Sequence, residues 1–219
     1  MNFTETWLDK YIQKDIKIKG YQLHREDREN KEGGGAAIYI KDEYDAEKIA
    51  GLSSGGVEMV AIYIKRINTI NIVIYKPPDA STNDFSTILE KVQEITSRVT
   101  KPEPTVIITG DFNFPFIRWI RGSNNGCRWE EKKNSGATTE GRRQLKKLIE
   151  VVDRIGLVQV VEEPTREKNT LDLVFTNDVD MFTHIEVTGS SMSDHKRIEL
   201  TTNLIKNNSQ TTRIDKKEY

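Results

Sequence analysis

The sequence predicts an α/β protein built of layered β-sheets covered by helices. Three observations lead there. Short apolar runs with strand character outnumber helical ones, the links between them mix hairpin lengths with helical crossovers, and each helical run has a single apolar face. The chain has 219 residues, 36% hydrophobic and 31% charged, enough for one domain with a sizeable core.

The strands can be read in order. Ala36–Ile40 leaves the flexible turn Gly33-Gly34-Gly35. Val57–Lys65 is β-rich, and Thr69–Tyr75 is a strong strand that stops at Pro77-Pro78, which cannot continue a hydrogen-bonded ladder. Asn83–Thr100 carries Phe85, Ile88, Leu89, Val92, Ile95 and Val99 at spacings of three and four, which makes an amphipathic helix. Thr105–Thr109 reads as a strand buried on both faces. Residues from Phe114 to Thr139 read as a long polar loop, and Glu140–Ile155 as a second helix stopped by Gly156. Val158–Val161, Leu171–Thr176, Thr183–Val187 and Arg197–Thr201 read as strands. The domain is expected to span residues 1–204, with 205–219 as a polar tail.

Composition narrows the classes of function. No stretch approaches eighteen apolar residues, so no membrane-spanning helix is expected. The N-terminus lacks the basic-then-apolar pattern of a secretory signal. Cys127 is the single cysteine, which excludes an internal disulfide and a thiolate zinc site. A reducing compartment, nucleus or cytoplasm, fits best. The formal net charge of −1 means that nucleic-acid binding must come from local patches. One candidate begins with Arg118, Arg121 and Arg128 and runs on to Lys147, although charge alone favours a solvated loop and helix face.

Four polar clusters stand beside apolar strands: Glu5 in Thr4-Glu5-Thr6-Trp7-Leu8, Asp111 and Asn113 after Gly110, Asp172 in Leu171-Asp172-Leu173, and Ser193-Asp194-His195. Asp111 emerges at the end of a buried strand, and Asn113 shares its side if the extended backbone persists. A carboxylate beside a carboxamide suits Mg²⁺, although Asp and Asn are also ordinary turn residues. His195 can move a proton near neutral pH. Asp172 is costly to bury inside an apolar strand unless it is paired, and an Asp172–His195 contact that fixes the imidazole tautomer would satisfy both; the alternative is an exposed strand face for Asp172. Glu5 could simply open a helix, and Tyr75 could be a plain strand aromatic. His24 and His184 read as non-catalytic.

In order and spacing, these clusters form one pattern: Glu-Thr-Trp-Leu, Gly-Gly-Gly, Tyr-Lys-Pro-Pro, Gly-Asp-Phe-Asn, Pro-Thr-Arg with Leu-Asp-Leu, and Ser-Asp-His. The pattern runs from about Asn2 to Leu200. It resembles the endonuclease/exonuclease/phosphatase superfamily, and within it the apurinic/apyrimidinic-endonuclease-like domain of non-LTR, LINE-type retrotransposons. The resemblance implies a four-layer α/β sandwich of two mixed β-sheets flanked by helices, of the deoxyribonuclease-I type.

The resemblance also implies roles. Glu5 would be the principal metal carboxylate and Asp194 a further one. Asp111 would lie near the nucleophile or leaving oxygen, Asn113 and Tyr75 would contact the phosphate, and His195, held by Asp172, would contact the phosphate or activate water. Thr165 and Ser193 would be lesser members that bind substrate, and Arg118, Arg121 and Arg128, singled out by the local charge patch and not by the resemblance, would bind it too. Mg²⁺, or Mn²⁺, would be the cofactor and DNA the partner. A monomer is expected here, joined in a full-length element to a reverse transcriptase. The alternatives are a phosphoesterase with another substrate and an inactive remnant with at most nucleic-acid binding. One departure stands out. The family pattern normally begins with a strand carrying an Asn, then a helix, whereas here Met1 lies four residues before Glu5. A sandwich without an inner strand is expected to leave backbone unpaired and its core open, which would impair folding or activity.

Overall fold

The computed structural model describes residues 1–8, 16–28, 32–97, 103–122, 126–191 and 193–202. Its centre is one eight-stranded mixed sheet. Its strands are β4 (Ala46–Ser54), β5 (Val57–Ile64), β6 (Thr69–Tyr75), β7 (Thr105–Asp111), β8 (Ile117–Arg121), β9 (Cys127–Glu131), β10 (Val158–Gln159) and β11 (Asp172–Thr176), in the spatial order β4-β5-β6-β7-β11-β10-β9-β8. The β6–β7 pair is parallel and crosses over through helix α1 (Thr82–Ser97); the other pairs are antiparallel.

Period-two alternation decides which side chains face which layer. Val57, Met59, Ala61, Ile70, Ile72 and Ile74 point to one face, where they meet Phe85, Ile88, Leu89 and Val92 of α1 and Leu145, Leu148 and Val152 of α2 (Thr139–Arg154). Val60, Ile62, Ile64 and Val73 point to the other face and meet Ala36 and Ile38. These two belong to β3 (Ala36–Lys41), the centre of a three-stranded antiparallel sheet ordered β1-β3-β2, with β1 at Asn2–Thr4 and β2 at Tyr21–Glu26. A hairpin of β12 (Phe182–Thr188) and β13 (Arg197–Thr202) covers the same face further along, where Phe182, Ile185, Val187, Ile198 and Leu200 pack on Val160, Val161 and Val174.

The second layer is therefore split into a three-stranded and a two-stranded sheet. Among the described residues, β1 has a strand partner on one side only. Under this split, Ile107 and Thr109 are only half-buried, so β7 is not covered on both faces as its apolar run suggests. The Asn2 side chain bridges the layers here, with Nδ2 donating to Asn71 Oδ1 at 3.1 Å and to Thr109 Oγ1 at 2.9 Å. Both described helices lie on the outer face of the large sheet. Among the described residues, no helix is long and apolar enough to cross a membrane.

Most of the expected elements form. The stretch from Phe114 to Thr139 differs, because it contains the β8–β9 hairpin. Its inward residues Ile117 and Trp119 are buried in the main core, while arginines and glutamates alternate on the outside and make the segment look like loop. β1, β2 and β4 were also not expected; they are short or polar strands whose exposed faces weaken the apolar signal. The far end of the first helix and the polar tail lie outside the described residues.

Gly110 is the residue that lets β7 lie against β6. Its φ is +149°, and a Cβ there would stand 1.8 Å from the Ile74 carbonyl oxygen. Gly110→Ala must push the two strands apart, and we expect it to lower the unfolding free energy by about 2 kcal/mol or more, measured by urea denaturation.

Candidate active site

Three neighbouring strands end at one level. β6 pairs with β7 so that Tyr75 lies opposite Asp111, and β7 pairs with β11 so that Asp111 lies opposite Asp172. Hydrogen-bond register alone thus sets a phenol and two carboxyls in a row. The Ser193–Lys196 turn that leads into β13 brings His195 to the end of that row, with Nδ1 2.8 Å from Asp172 Oδ2. Ligand atoms of Asp111, Asp172 and His195 all lie within 4.8 Å of one another, a grouping able to hold a metal ion. This is the pairing expected for a carboxylate inside an apolar strand.

Asp111 is 3% exposed. Burial first, and then the nearby Asp172 carboxylate, push its carboxyl up to about 7, against the opposing pull of His195 and of the Asn113 amide. Asn113 turns back with φ +50°, so the extended backbone ends at Asp111 and the two side chains converge by a turn instead. Its backbone N–H donates to Asp111 Oδ1 at 3.1 Å, and its Nδ2 donates to Asp111 Oδ2 at 2.9 Å and to the Lys76 carbonyl at 3.0 Å. Both amide hydrogens are engaged, and Asn113 orients Asp111 in this arrangement.

Tyr75 is buried, and its hydroxyl donates to Glu5 Oε1. Burial and the Glu5 carboxylate raise its pKa, so the phenol keeps its proton and acts as a donor. Glu5 is otherwise exposed and is held at φ +51° rather than opening a helix. Its charge also acts on Asp111, although Glu5 stands outside the Asp111–Asp172–His195 grouping.

Thr165 is fully buried, and its hydroxyl accepts the backbone N–H of Leu171 and of Asp172, both at 3.0 Å. Its carbonyl accepts the Lys196 N–H at 2.7 Å. It therefore ties β11 to the His195 turn, and its hydroxyl is not open to a substrate. Ser193 is exposed, and its Oγ accepts the His195 N–H at 3.1 Å. Asp194 is exposed, pairs with Arg166 at 2.6 Å, and stands outside the Asp111–Asp172–His195 grouping.

Arg118, Arg121 and Arg128 lie on the β8–β9 hairpin, at the far edge of the sheet from β6. Each faces a glutamate: Arg118 and Arg128 share Glu130 at 2.8 and 3.0 Å, and Arg121 meets Glu162 at 3.3 Å. The local basic patch is largely neutralised by these exposed pairs. His184 is exposed beside Glu186, and His24 lies on β2; neither belongs to the Asp111–Asp172–His195 grouping.

Sequence reasoning missed Arg28, Glu58 and Lys76. Glu58 is fully buried, accepts Arg28 Nε at 2.8 Å and the Gly35 N–H at 3.2 Å, and so anchors the glycine turn. The Arg28 guanidinium carbon lies 5.4 Å from the centre of the Tyr75 ring. An acid inside the apolar strand VEMVAIYI was the available signal, the same one that picks out Asp172. Lys76 is 1% exposed and sits 4.9 Å from the centre of the Phe114 ring; burial drops its ammonium to about 8, against the pull of Asp111 and Asp79.

Stacked sheets gather carboxyls, a phenol and an imidazole at strand ends, and the fold is that of the endonuclease/exonuclease/phosphatase superfamily. Within it, the chain belongs to the endonuclease-reverse transcriptase family, whose model matches residues 69–199, more than half its length. Two solved structures are similar in fold. The endonuclease domain of TRAS1, a telomere-specific non-LTR retrotransposon, is 16% identical with a TM-score of 0.56, over 86% of this chain and 83% of that one. An AP endonuclease from Archaeoglobus fulgidus is 14% identical with a TM-score of 0.60, over 92% and 88%. No curated protein matches the chain.

The Asp172 hydrogen bond, opposed in part by burial, raises the pKa of His195 above its ordinary 6.5. The pair's contribution to stability is complete below that ordinary value and is lost as pH rises through the raised one. In Asp172→Asn the His195 ring resonance should titrate at lower pH than in the parent, as followed by NMR; an unchanged midpoint would mean that the contact does not hold the proton.

Proposed function

We propose that this chain is a divalent-metal-dependent endonuclease that nicks DNA and leaves 3′-OH and 5′-phosphate ends. The observation that carries the reading is the convergence of Asp111, Asp172 and His195 beside the Tyr75–Glu5 pair.

The donor set fits a hard cation. Carboxyls crowd together, and burial first, then the Asp172 carboxylate, raises the proton affinity of Asp111. Glu5, with one oxygen free of Tyr75, and the Asp111 side of the cluster would hold Mg²⁺ or Mn²⁺; Asp194 would join only by releasing Arg166. Such an ion, when bound, neutralises the phosphate and stabilises charge that builds up on phosphorus.

The chain's own groups supply the remainder. Asp111 takes a proton from water as the water oxygen bonds to phosphorus and the bond to the 3′ oxygen breaks. Asn113 keeps the Asp111 carboxyl aimed through two hydrogen bonds. His195, with Nδ1 facing Asp172, presents Nε2–H to a non-bridging phosphate oxygen. Tyr75 keeps Glu5 in place and stays protonated. The leaving 3′ oxygen collects its proton from solvent. Exposed Arg118, Arg121 and Arg128 can exchange their glutamate partners for DNA phosphates, because exposed ion pairs are weak and screened by solvent.

The family's name joins an endonuclease to a reverse transcriptase, and a fold neighbour comes from a non-LTR retrotransposon. Both support a target-nicking role in such an element, where the new 3′-OH primes reverse transcription by a linked polymerase.

Nicking of supercoiled plasmid should appear with Mg²⁺ and vanish with chelator. It should fall about a hundredfold or more in Asp111→Ala and in His195→Ala. Undiminished nicking by both variants rejects this site.

A further inference from the structure

One large aromatic beside the site is exposed, and the mechanism does not use it. Trp7 follows Glu5 by two residues and is 66% exposed. Its backbone sits at φ +53°, and Glu5 before it at φ +51°. Bulky residues seldom adopt this left-handed conformation, and they keep it only where their surroundings enforce it.

The enforcing contacts can be named. The Trp7 N–H donates to the Gly34 carbonyl at 3.0 Å, and Thr6 Oγ1 reaches the same carbonyl at 3.5 Å. The indole lies along Gly33, where an added Cβ would be 3.4 Å from ring atom Cε2. A Cβ on Gly34 would strike the Arg28 guanidinium at 2.4 Å, so the glycine turn is seated on the buried Arg28–Glu58 pair beneath Tyr75. Backbone strain, a glycine turn and a buried ion pair all serve to turn the indole outward, next to the carboxylate paired with Tyr75. Burying so large an aromatic elsewhere would release strain and gain apolar contact, so packing alone does not account for its position.

We propose that Trp7 is a platform for a DNA base: its indole stacks on a base flanking the scissile phosphate and fixes which phosphodiester reaches Glu5 and Asp111. This rests on the DNA-nicking reading above. A stacking platform tolerates any base, because every base offers a π-face, and it favours sites where that base is already unpaired.

The test uses the full chain in two arms. In the first, wild type and Trp7→Phe are titrated with a short DNA duplex in chelator while tryptophan emission is recorded. DNA should quench a component of the emission that Trp7→Phe lacks. Affinity, from the anisotropy of a labelled duplex, should weaken about tenfold in Trp7→Ala and far less in Trp7→Phe, which keeps a stacking ring. Circular dichroism melts check that both variants fold; should Trp7→Ala fail to fold, the comparison of wild type with Trp7→Phe decides alone. Equal quenching in wild type and Trp7→Phe, or a folded Trp7→Ala that binds like wild type, overturns the proposal, as does a wild type that binds no DNA. In the second arm the same proteins meet plasmid with Mg²⁺, and loss in Trp7→Ala should appear mainly as a higher KM. Wild type that binds with Trp7 quenching yet never nicks sinks the nuclease reading and leaves the platform standing.

Discussion

Strand register carries the chemistry of this protein. β6, β7 and β11 are locked side by side by backbone hydrogen bonds, and the lock sets Tyr75, Asp111 and Asp172 at one height on adjacent strands. Side chains so placed need no long loop to bring them together. The row depends on close approach between β6 and β7, which Gly110 permits by carrying no Cβ where the Ile74 carbonyl passes. A slip of one residue in either pairing would send each side chain to the opposite face. The apolar core on both sides of β6 therefore holds the site as well as the fold, because it forbids that slip.

Around this row, charge is arranged in two tiers. The Asp172 carboxylate adds to burial in disfavouring the ionisation of Asp111, and the imidazole of His195 opposes this only in part. Behind them, Arg28 and Glu58 form a buried pair whose partners are otherwise backbone groups, Gly56 and Gly35. That pair neutralises itself and makes a rigid floor for Tyr75 and the glycine turn. The outer tier instead leaves two carboxyls facing one imidazole.

Several parts of this arrangement were legible in the residues. The Asp172–His195 contact was legible as one of two readings of a carboxylate inside an apolar strand, the other being an exposed strand face. The glycine turn and the two proline-terminated and glycine-terminated strands also follow from local rules. Asn113 was legible as a neighbour of Asp111 but not in its geometry, since a positive φ there comes from the turn that the Lys76 carbonyl stabilises. The β8–β9 hairpin was obscured because Arg and Glu alternate along its exposed side, a solvated pattern that resembles loop. The pairing of Arg121 with Glu162 was out of reach, because Glu162 is far off in sequence and adjacent only in space.

The split second layer has a consequence for how the molecule breathes. The β12–β13 hairpin shares no backbone ladder with the other described strands and rests on the large sheet through the patch around Val160, Val161 and Val174. Such a unit can open without disturbing the eight-stranded sheet, and local opening of this kind shows as early amide exchange. His195 sits two residues before β13, fastened by Asp172 and by the Lys196–Thr165 bond. The imidazole is thus carried by the hairpin, while the carboxyls it faces belong to the eight-stranded sheet.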